Sequence, residues 1–262
     1  DGERYVYLIS GQLGKNCSPA TANNFILDTK TKGWMSLPPL PKPRYAPTVQ
    51  LWRGRLHVIA GSKEDRNEPA MDHWSLAVEG SQALESEWRE EVSIPRGGPH
   101  RASAVLNNGL YVFGGQEGDY VAIPGDPNFK CTGDLTCEVM YPDVYKLEFG
   151  ADSWKRMADM PVQSSHTEYA IIRLGDKVIL LGGQRYKDPK TRSIELTDVV
   201  QMYEAKTDTW KILGHLPYYT KSAVAAFCQE YIYFTTGQRN REGSPRTGPY
   251  DNRTWRARLR DF

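Results

Sequence analysis

The 262-residue sequence is poor in the residue types that most often carry chemistry, with only four cysteines and five histidines. It contains no GxSxG, HExxH, P-loop or dinucleotide-binding motif, so no short motif indicates an enzyme class. No apolar run reaches the roughly 18 to 20 residues that cross a bilayer, and residues 1–10 lack the features of a signal peptide. We therefore expect no membrane contact within this chain. The net charge is only +1 without a basic run, which argues against nucleic acid as a partner.

Two of the four cysteines lie close together. Cys131 and Cys137 close the segment CTGDLTC inside the longest insertion, and a pair at this spacing in an exposed loop is easily bridged. No further cysteine or histidine lies nearby to complete a zinc site, so we expect no metal. A disulfide predicts an oxidising compartment, and the glycosylation sequons at Asn16 and Asn252 agree with one. We expect the lumen of the secretory pathway, Golgi or extracellular; two free thiols in the cytoplasm are the alternative.

One apolar block that ends in glycine recurs five times. Its clearest copy is LYVFGGQ at residues 110–116, and the final glycines of the copies are separated by 50, 54, 68 and 54 residues. These glycines are Gly11, Gly61, Gly115, Gly183 and Gly237. A tryptophan lies 27 to 29 residues before four of them, at Trp34, Trp88, Trp154 and Trp210. A period near 50 residues predicts a repeat architecture in which each unit stacks on its neighbours.

Each repeat is predicted to hold four antiparallel strands. In residues 96–154, RASAVLN and LYVFGG flank a tight turn, and DVYKLEF and SWKRM follow after a loop. Alternating apolar residues and turn residues of this kind predict hairpins, and four-stranded units without helices are the blades of a β-propeller. The glycines would allow close approach of neighbouring blades, and each tryptophan would fill the gap between two of them.

These features resemble the kelch-repeat β-propellers over nearly the whole chain. The marks of that family are the apolar strand that ends in Gly114-Gly115, the aromatic Tyr145 at the third strand, and the spaced tryptophans. The segments RYAPTVQLWRGRLHVIAGSKEDR and IPRGGPHRA are similar to a group of plant kelch proteins with an N-terminal membrane anchor. That closer resemblance implies a propeller in the lumen of the secretory pathway.

We expect one all-β domain over residues 1–262. Its repeats lie near 1–40, 41–94, 95–159, 160–215 and 216–262. The first repeat lacks a first strand and the last lacks a fourth, which leaves two open sheet edges that invite aggregation. Because kelch rings commonly have six or seven blades, we interpret the chain as five blades of a six-bladed ring. A complete five-bladed ring with an imperfect seam is the alternative.

Candidate ligand-binding residues lie in the loops around the expected channel mouth. A glutamine follows the final glycine in four repeats, and cations precede the first strands, a combination suited to hydroxyl-rich or acidic ligands. The candidates are Gln12, Gln116, Gln184, Gln238, Arg44, Tyr45, Arg101 and Lys221. The alternatives are that each glutamine bonds to its own loop backbone and that the cations form ordinary surface ion pairs.

Catalytic candidates are few. His100, His166 and Glu168 could act as a general base on a sugar, as the resemblance to kelch-fold epimerases and lyases implies. Counted back from the glycines, Arg44 and His166 share one position, whereas His100 and Glu168 share another.

No cofactor is indicated, and the repeat-wide residue columns are explained by structure. We therefore predict a non-enzymatic binding propeller that presents a polar, partly cationic channel mouth to a protein or glycan. A glycan-modifying enzyme of the epimerase or lyase type is the alternative. Two further histidines, His57 and His73, fall within predicted strands, where a buried, hydrogen-bonded histidine is commoner than a ligand.

Overall fold

The computed structural model describes residues 4–13, 19–64, 68–118, 139–187, 194–240 and 247–259. Every regular element in these residues is a β-strand, which confirms the all-β prediction. The strands are β1 (Tyr5–Ile9), β2 (Asn24–Asp28), β3 (Gly33–Leu37), β4 (Thr48–Trp52), β5 (Arg55–Ile59), β6 (His73–Glu79), β7 (Gln82–Ala83), β8 (Arg89–Glu90), β9 (Ala102–Leu106), β10 (Gly109–Phe113), β11 (Val144–Leu147), β12 (Lys155–Met157), β13 (Ile171–Leu174), β14 (Lys177–Lys187), β15 (Ile194–Glu204), β16 (Thr209–His215), β17 (Thr220–Cys228), β18 (Tyr231–Asn240), β19 (Thr247–Tyr250) and β20 (Thr254–Arg258).

The strands form five antiparallel sheets, called blades 1 to 5 below. Blade 1 has the order β1-β2-β3, blade 3 the order β12-β11-β10-β9 and blade 4 the order β13-β14-β15-β16. In blade 2, both β7 and β8 pair with β6, so the outer strand is divided in two. In blade 5, both β19 and β20 pair with β18, so the third strand is divided instead. The predicted succession of antiparallel four-stranded units is confirmed, with three strand positions occupied in blades 1 and 5.

Apolar side chains fill the four interfaces between consecutive blades. Between blades 1 and 2 the buried cluster includes Ile26 and Leu56, and between blades 3 and 4 it includes Phe113 and Leu180. The interfaces between blades 2 and 3 and between blades 4 and 5 carry clusters of the same kind. Blades 2, 3 and 4 therefore have both faces covered, and each blade depends on its neighbours for burial of its apolar surface.

Gly115 shows why the second strand of a blade ends in glycine. Its φ of 98° is a conformation that L side chains rarely adopt, and its N–H donates to the carbonyl of Ser164 in the next blade at 3.0 Å. A Cβ on the adjacent Gly114 would collide with that same carbonyl oxygen. Gly61 repeats the bond toward Gly98 at 3.1 Å. The glycines thus allow the backbone of one blade to hydrogen-bond with the backbone of the next.

The tryptophan column makes a second link between blades. In three cases the indole N–H donates to a main-chain carbonyl of the preceding blade, each at 2.9 Å. The pairs are Trp88 with Pro38, Trp154 with Val92, and Trp210 with Ala158. The remaining member, Trp34, belongs to blade 1 and is 55% exposed, because the described residues place no blade before it.

This difference predicts unequal effects for two identical substitutions. Trp154→Phe should lower the free energy of unfolding by about 1–3 kcal/mol, because it removes the indole hydrogen bond to the Val92 carbonyl and part of a buried ring. Trp34→Phe should change it by less than about 0.5 kcal/mol, because that ring is exposed. Urea denaturation followed by circular dichroism measures both. Equal losses for the two variants would contradict the interblade role of the indole.

Candidate functional site

The loops after the glycines and the connections between blades lie on one side of the sheets, because successive strands run in opposite directions. We call this side the channel-mouth face. On it, a residue with positive φ, called the entry residue below, lies near the start of each innermost strand of blades 2 to 5. These residues are Ala46, His100, His166 and Ser222. Each of the last three donates its N–H to the carbonyl of the one before, at 3.0 to 3.3 Å, so the four entries lie side by side around the channel.

Blade 4 departs from the repeat at this point. Three of the four entry residues lie 15 residues before the final glycine of their blade, but His166 lies 17 before its own. The hydrogen bonds pair His166 with His100, so the alignment of His166 with Arg44 by counting from the glycines is wrong. The two additional residues form a turn at Glu168 and Tyr169, closed by the N–H of Ala170 on a carbonyl three residues earlier.

The turn brings the three catalytic candidates together. His100 Nδ1 lies 2.5 Å from Glu168 Oε1, and the rings of His100 and His166 are stacked with centroids 3.7 Å apart and an interplanar angle of 15°. Tyr45 meets the edge of His100 at 5.8 Å. The His100 and Glu168 side chains keep some solvent exposure. A carboxylate that orients a histidine in this way favours a base or a hydrogen-bonding site. We call these four side chains the mouth cluster.

The predicted arginines do not reach the mouth cluster. Arg44 and Arg101 are buried inside blades 2 and 3, where their guanidinium groups form ion pairs with Asp72 and Asp143. Loss of hydration lowers the pKa of both arginines, and the adjacent carboxylates oppose that change. Arg44 also lies over the ring of Trp74 at 4.5 Å. Both arginines tie the entry of an innermost strand to the start of the third strand of the same blade.

Two of the four glutamines, together with the lysine, form links between blades, so the four do not make an open amide ring. Gln116 Oε1 accepts a hydrogen bond from Ser165 Oγ of the next blade at 2.6 Å. Gln184 Oε1 accepts one from Lys221 Nζ, again of the next blade, at 2.7 Å. Gln116, Gln184 and Lys221 are all buried. The two remaining members lie nearer the surface: Gln238 donates to the Tyr250 hydroxyl at 3.1 Å, and Gln12 is exposed.

A group of exposed tyrosines occupies the channel-mouth face beside the mouth cluster. Their side chains are 44 to 74% exposed, and all lie in the loops or strand ends of blades 4 and 5 on this side. They are Tyr169, Tyr186, Tyr219 and Tyr250. We call them the tyrosine sector. Sequence reasoning missed this group because its members follow no common spacing from the glycines; the doublet Tyr218-Tyr219 in HLPYYTK was the available signal.

Several predicted sites lie outside the described residues. Cys131, Cys137 and the sequon at Asn16 belong to this group, so the disulfide and the first glycosylation site stay predictions. Asn252 is exposed between β19 and β20. Cys228 is an exposed free thiol. In the described ranges, no cluster of His, Cys, Asp or Glu is arranged to hold a metal, and no helix is long and apolar enough to cross a membrane.

A buried histidine pair lies away from this face, in the middle of blade 2. His57 Nδ1 is 2.8 Å from His73 Nε2, and His73 Nδ1 donates to the Val92 carbonyl at 3.1 Å. Because a carbonyl only accepts, neutral His73 offers its Nε2 as acceptor to His57. Burial lowers the pKa of His57 to about 3 and that of His73 to about 4. Both histidines therefore stay neutral at physiological pH and stabilise the blade, as expected for histidines within strands.

Comparison with known proteins agrees with this architecture. The chain is 46% identical over 258 residues to a kelch repeat-containing protein of Arabidopsis thaliana, a match that covers 98% of this chain and 60% of that protein. It is 27% identical over 155 residues to Beta-scruin of Limulus polyphemus, covering 58% of this chain and 14% of that protein. The solved structure of YjhT matches with a TM-score of 0.68 and 20% identity, covering 91% of this chain and 71% of that one. No family model matches the chain.

Five stacked antiparallel blades with interblade glycine and indole contacts define a β-propeller. Along nearly its whole length the chain is similar to a kelch repeat-containing protein, which supports the resemblance to the kelch-repeat family. The chain spans about 60% of the length of that relative and 14% of the length of Beta-scruin.

The histidine pair predicts how stability depends on pH. The unfolded chain takes up protons as the pH falls through about 6.5, whereas the folded chain excludes them until about pH 4 and below. The contribution of this histidine pair to the free energy of unfolding is therefore fully present above pH 6.5. It is lost progressively as the pH falls from 6.5 to 4. At pH 5 the loss amounts to roughly 2 kcal/mol for each histidine.

Urea denaturation at pH 7 and pH 5 measures this loss, with the double variant His57→Leu/His73→Leu as control. Carboxylate titration affects both proteins alike, so the variant should lose less stability than the wild type between the two values. A variant that loses as much as the wild type would show that the pair does not exclude protons.

Proposed function

We propose that this chain is a non-enzymatic binding propeller that takes a protein partner on the tyrosine sector of its channel-mouth face. One observation carries the proposal: four exposed tyrosines are concentrated on one side of two neighbouring blades. None of these rings is needed for the core, since the clusters between blades are filled without them. Tyrosine offers a large, rigid, amphipathic contact surface at little entropic cost and is enriched at protein interfaces.

The charged groups near the sector favour a polar rim around an apolar centre. Arg239 and Arg253 both bond to Asp251 on this side of blade 5, and Arg239 lies 4.3 Å from the ring of Tyr218. Tyr169 extends the surface to the channel, next to Glu168 of the mouth cluster. A partner seated on the sector would therefore also reach the one place where the loops depart from the repeat.

Site-specific photo-crosslinking tests this proposal. A benzoylphenylalanine placed at Tyr219 or at Tyr250 should form a crosslink to a discrete protein in cells that express the chain. The same probe at Phe149, which is equally exposed on the opposite side in the turn between β11 and β12, should not. These replacements should leave the melting temperature within about 2 °C of wild type, because the side chains are exposed.

Equal crosslinking at all three positions, or none, would contradict a protein-binding sector. A glycan array covers the other class of partner. Glycan binding that is lost in Tyr219→Ala and Tyr250→Ala would show the same surface to be a carbohydrate site instead.

The mouth cluster supports a second candidate, a glycan-modifying enzyme. The observation in its favour is His100, held by Glu168 and stacked on His166, which is an arrangement suited to a general base. Incorporation of solvent deuterium into a sugar by the wild type, lost in His100→Gln, would establish catalysis over simple binding.

The proposed compartment is the lumen of the secretory pathway, Golgi or extracellular, with an N-terminal membrane anchor in the full-length protein. The support is the spacing of Cys131 and Cys137, the exposure of Asn252 and the resemblance to anchored plant proteins. Intact-mass measurement after thiol labelling without reductant decides between a bridge and free thiols. Four labelled cysteines would argue for the cytoplasm.

We also propose that the five blades are part of a six-bladed ring. Val6 and Leu8 of β1 and Trp34 of β3 are exposed on blade 1, and Val224 of β17 is exposed on blade 5. Apolar groups at these positions would be covered if a further blade lay between blades 5 and 1. Class averages of the full-length protein by electron microscopy would count the blades, and a closed ring of five would contradict the proposal.

A further inference from the structure

A cleft lies where blades 2 and 3 meet, on the side of the sheets opposite to the channel-mouth face. Its volume is about 680 Å³, a size typical of small-molecule sites. The turn between β4 and β5 forms one wall, the turn between β11 and β12 forms another, and residues of the outer strand of blade 2 complete it. The cleft shares no residue with the mouth cluster or the tyrosine sector.

The inner part of the cleft is aromatic and apolar. Trp52 and Leu147 are buried in its walls, and Trp52 Nε1 donates to the Asn108 carbonyl of blade 3 at 3.1 Å, which fixes the indole in place. The ring of Phe149, which is 67% exposed, meets the Trp52 ring at 84° with the centroids 6.4 Å apart. Two rings at this angle form a corner, in which a third ring can stack on one and meet the edge of the other.

Arg53 lies beside this aromatic corner. Its guanidinium carbon is 3.8 Å from the centroid of the Phe149 ring. Within the part of the chain that the structure describes, the Arg53 side chain forms no ion pair and no hydrogen bond. A guanidinium stacked on a ring keeps its N–H donors at the edge of its plane, where they can bind a carboxylate through two parallel hydrogen bonds.

The backbone holds this arginine at a conformational cost. The hairpins that join the first two strands of blades 2 to 5 have two-residue turns, and the first residue of each turn has positive φ. These residues are Arg53, Asn107, Gly175 and Gln229. Asparagine and glycine adopt this conformation readily, whereas it is unfavourable for arginine. The contact that the arginine gains at this position is the stack on Phe149.

The charges around the cleft favour a ligand with a single negative charge. Three arginines and two glutamates line it, which leaves one positive charge in excess: Arg53, Arg55, Arg89, Glu91 and Glu148. Arg55 and Arg89 both bond to Glu85, and Glu148 bonds to Lys146, so counting these partners gives the same excess. His57 also lines the cleft and is neutral, because burial lowers its pKa to about 3.

We propose that the cleft between blades 2 and 3 binds a small aromatic carboxylate. The carboxylate accepts hydrogen bonds from the Arg53 guanidinium, and the ring lies against Trp52 and Phe149. The site does not depend on the protein-binding sector, which lies on the opposite side of the sheets, so each can be tested without the other.

A titration with 2-naphthoate tests this site. The reporter is the indole N–H signal of Trp52 in a nitrogen–proton correlation spectrum, assigned by its loss in Trp52→Phe. This signal should shift in a saturable manner, with a Kd of about 1 mM or lower, as for a ligand of this size. The neutral analogue 2-naphthalenemethanol should bind at least about tenfold more weakly, because it lacks the charge that strengthens hydrogen bonds from a guanidinium.

Two matched substitutions make the result specific. Arg53→Gln should raise the Kd for 2-naphthoate at least about tenfold, and the turn should tolerate glutamine, which occupies the equivalent position at Gln229. Arg256→Gln should leave the Kd unchanged, because Arg256 also lies over an aromatic ring, that of Tyr231 at 4.9 Å, but in blade 5. Both arginines are exposed, so both variants should melt within about 2 °C of wild type.

Three results would each overturn the proposal. They are a Trp52 signal that 2-naphthoate does not shift in the wild type, an Arg53→Gln variant that binds as tightly as the wild type, and a neutral analogue that binds as tightly as 2-naphthoate.

Discussion

The structure depends on direct contact between the backbones of neighbouring blades. Gly115 and Gly61 donate main-chain hydrogen bonds across blade boundaries, and the entry residues His100, His166 and Ser222 continue a line of such bonds around the channel. A Cβ at Gly114 would collide with the Ser164 carbonyl of the next blade, and the positive φ of Gly61 and Gly115 also favours glycine beside these bonds. The indoles and apolar clusters farther out then bury the faces that this close approach brings together.

The residues that recur in every repeat stabilise the fold, and the surfaces that we propose for function lie where the repeat is interrupted. Blade 4 has two additional residues at its entry, and they bring Glu168 to His100 and Tyr169 to the channel-mouth face. The tyrosine sector, likewise, follows no column of the repeat. Residues that do follow a column, such as Gln116 and Gln184, prove to link blades. In this chain, therefore, the binding surface that we propose lies where the repeat is irregular.

The same distinction explains what could be predicted from the sequence. The blades, the glycine contacts and the place of Trp88 and Trp154 follow from local pattern and period, because each depends on residues within one repeat and its neighbour. The burial of the Arg101 side chain inside its blade could not be predicted in this way. Its ion-pair partner, Asp143, follows a long insertion in the sequence, so local pattern does not bring the two residues together. His166 was misaligned because counting residues assumes equal loop lengths, and only hydrogen bonds identify its true equivalent.

Native-state hydrogen exchange tests the central claim most directly, namely that backbone bonds between blades hold the propeller together. The amides of His100, His166 and Ser222 donate across blade boundaries, whereas those of Leu110 and Val112 lie within one blade. If the interfaces are part of one cooperative structure, both groups should exchange with the same free energy, that of global unfolding. Faster exchange of the three interblade amides would contradict the account, because it would show that the blades separate while each sheet stays folded.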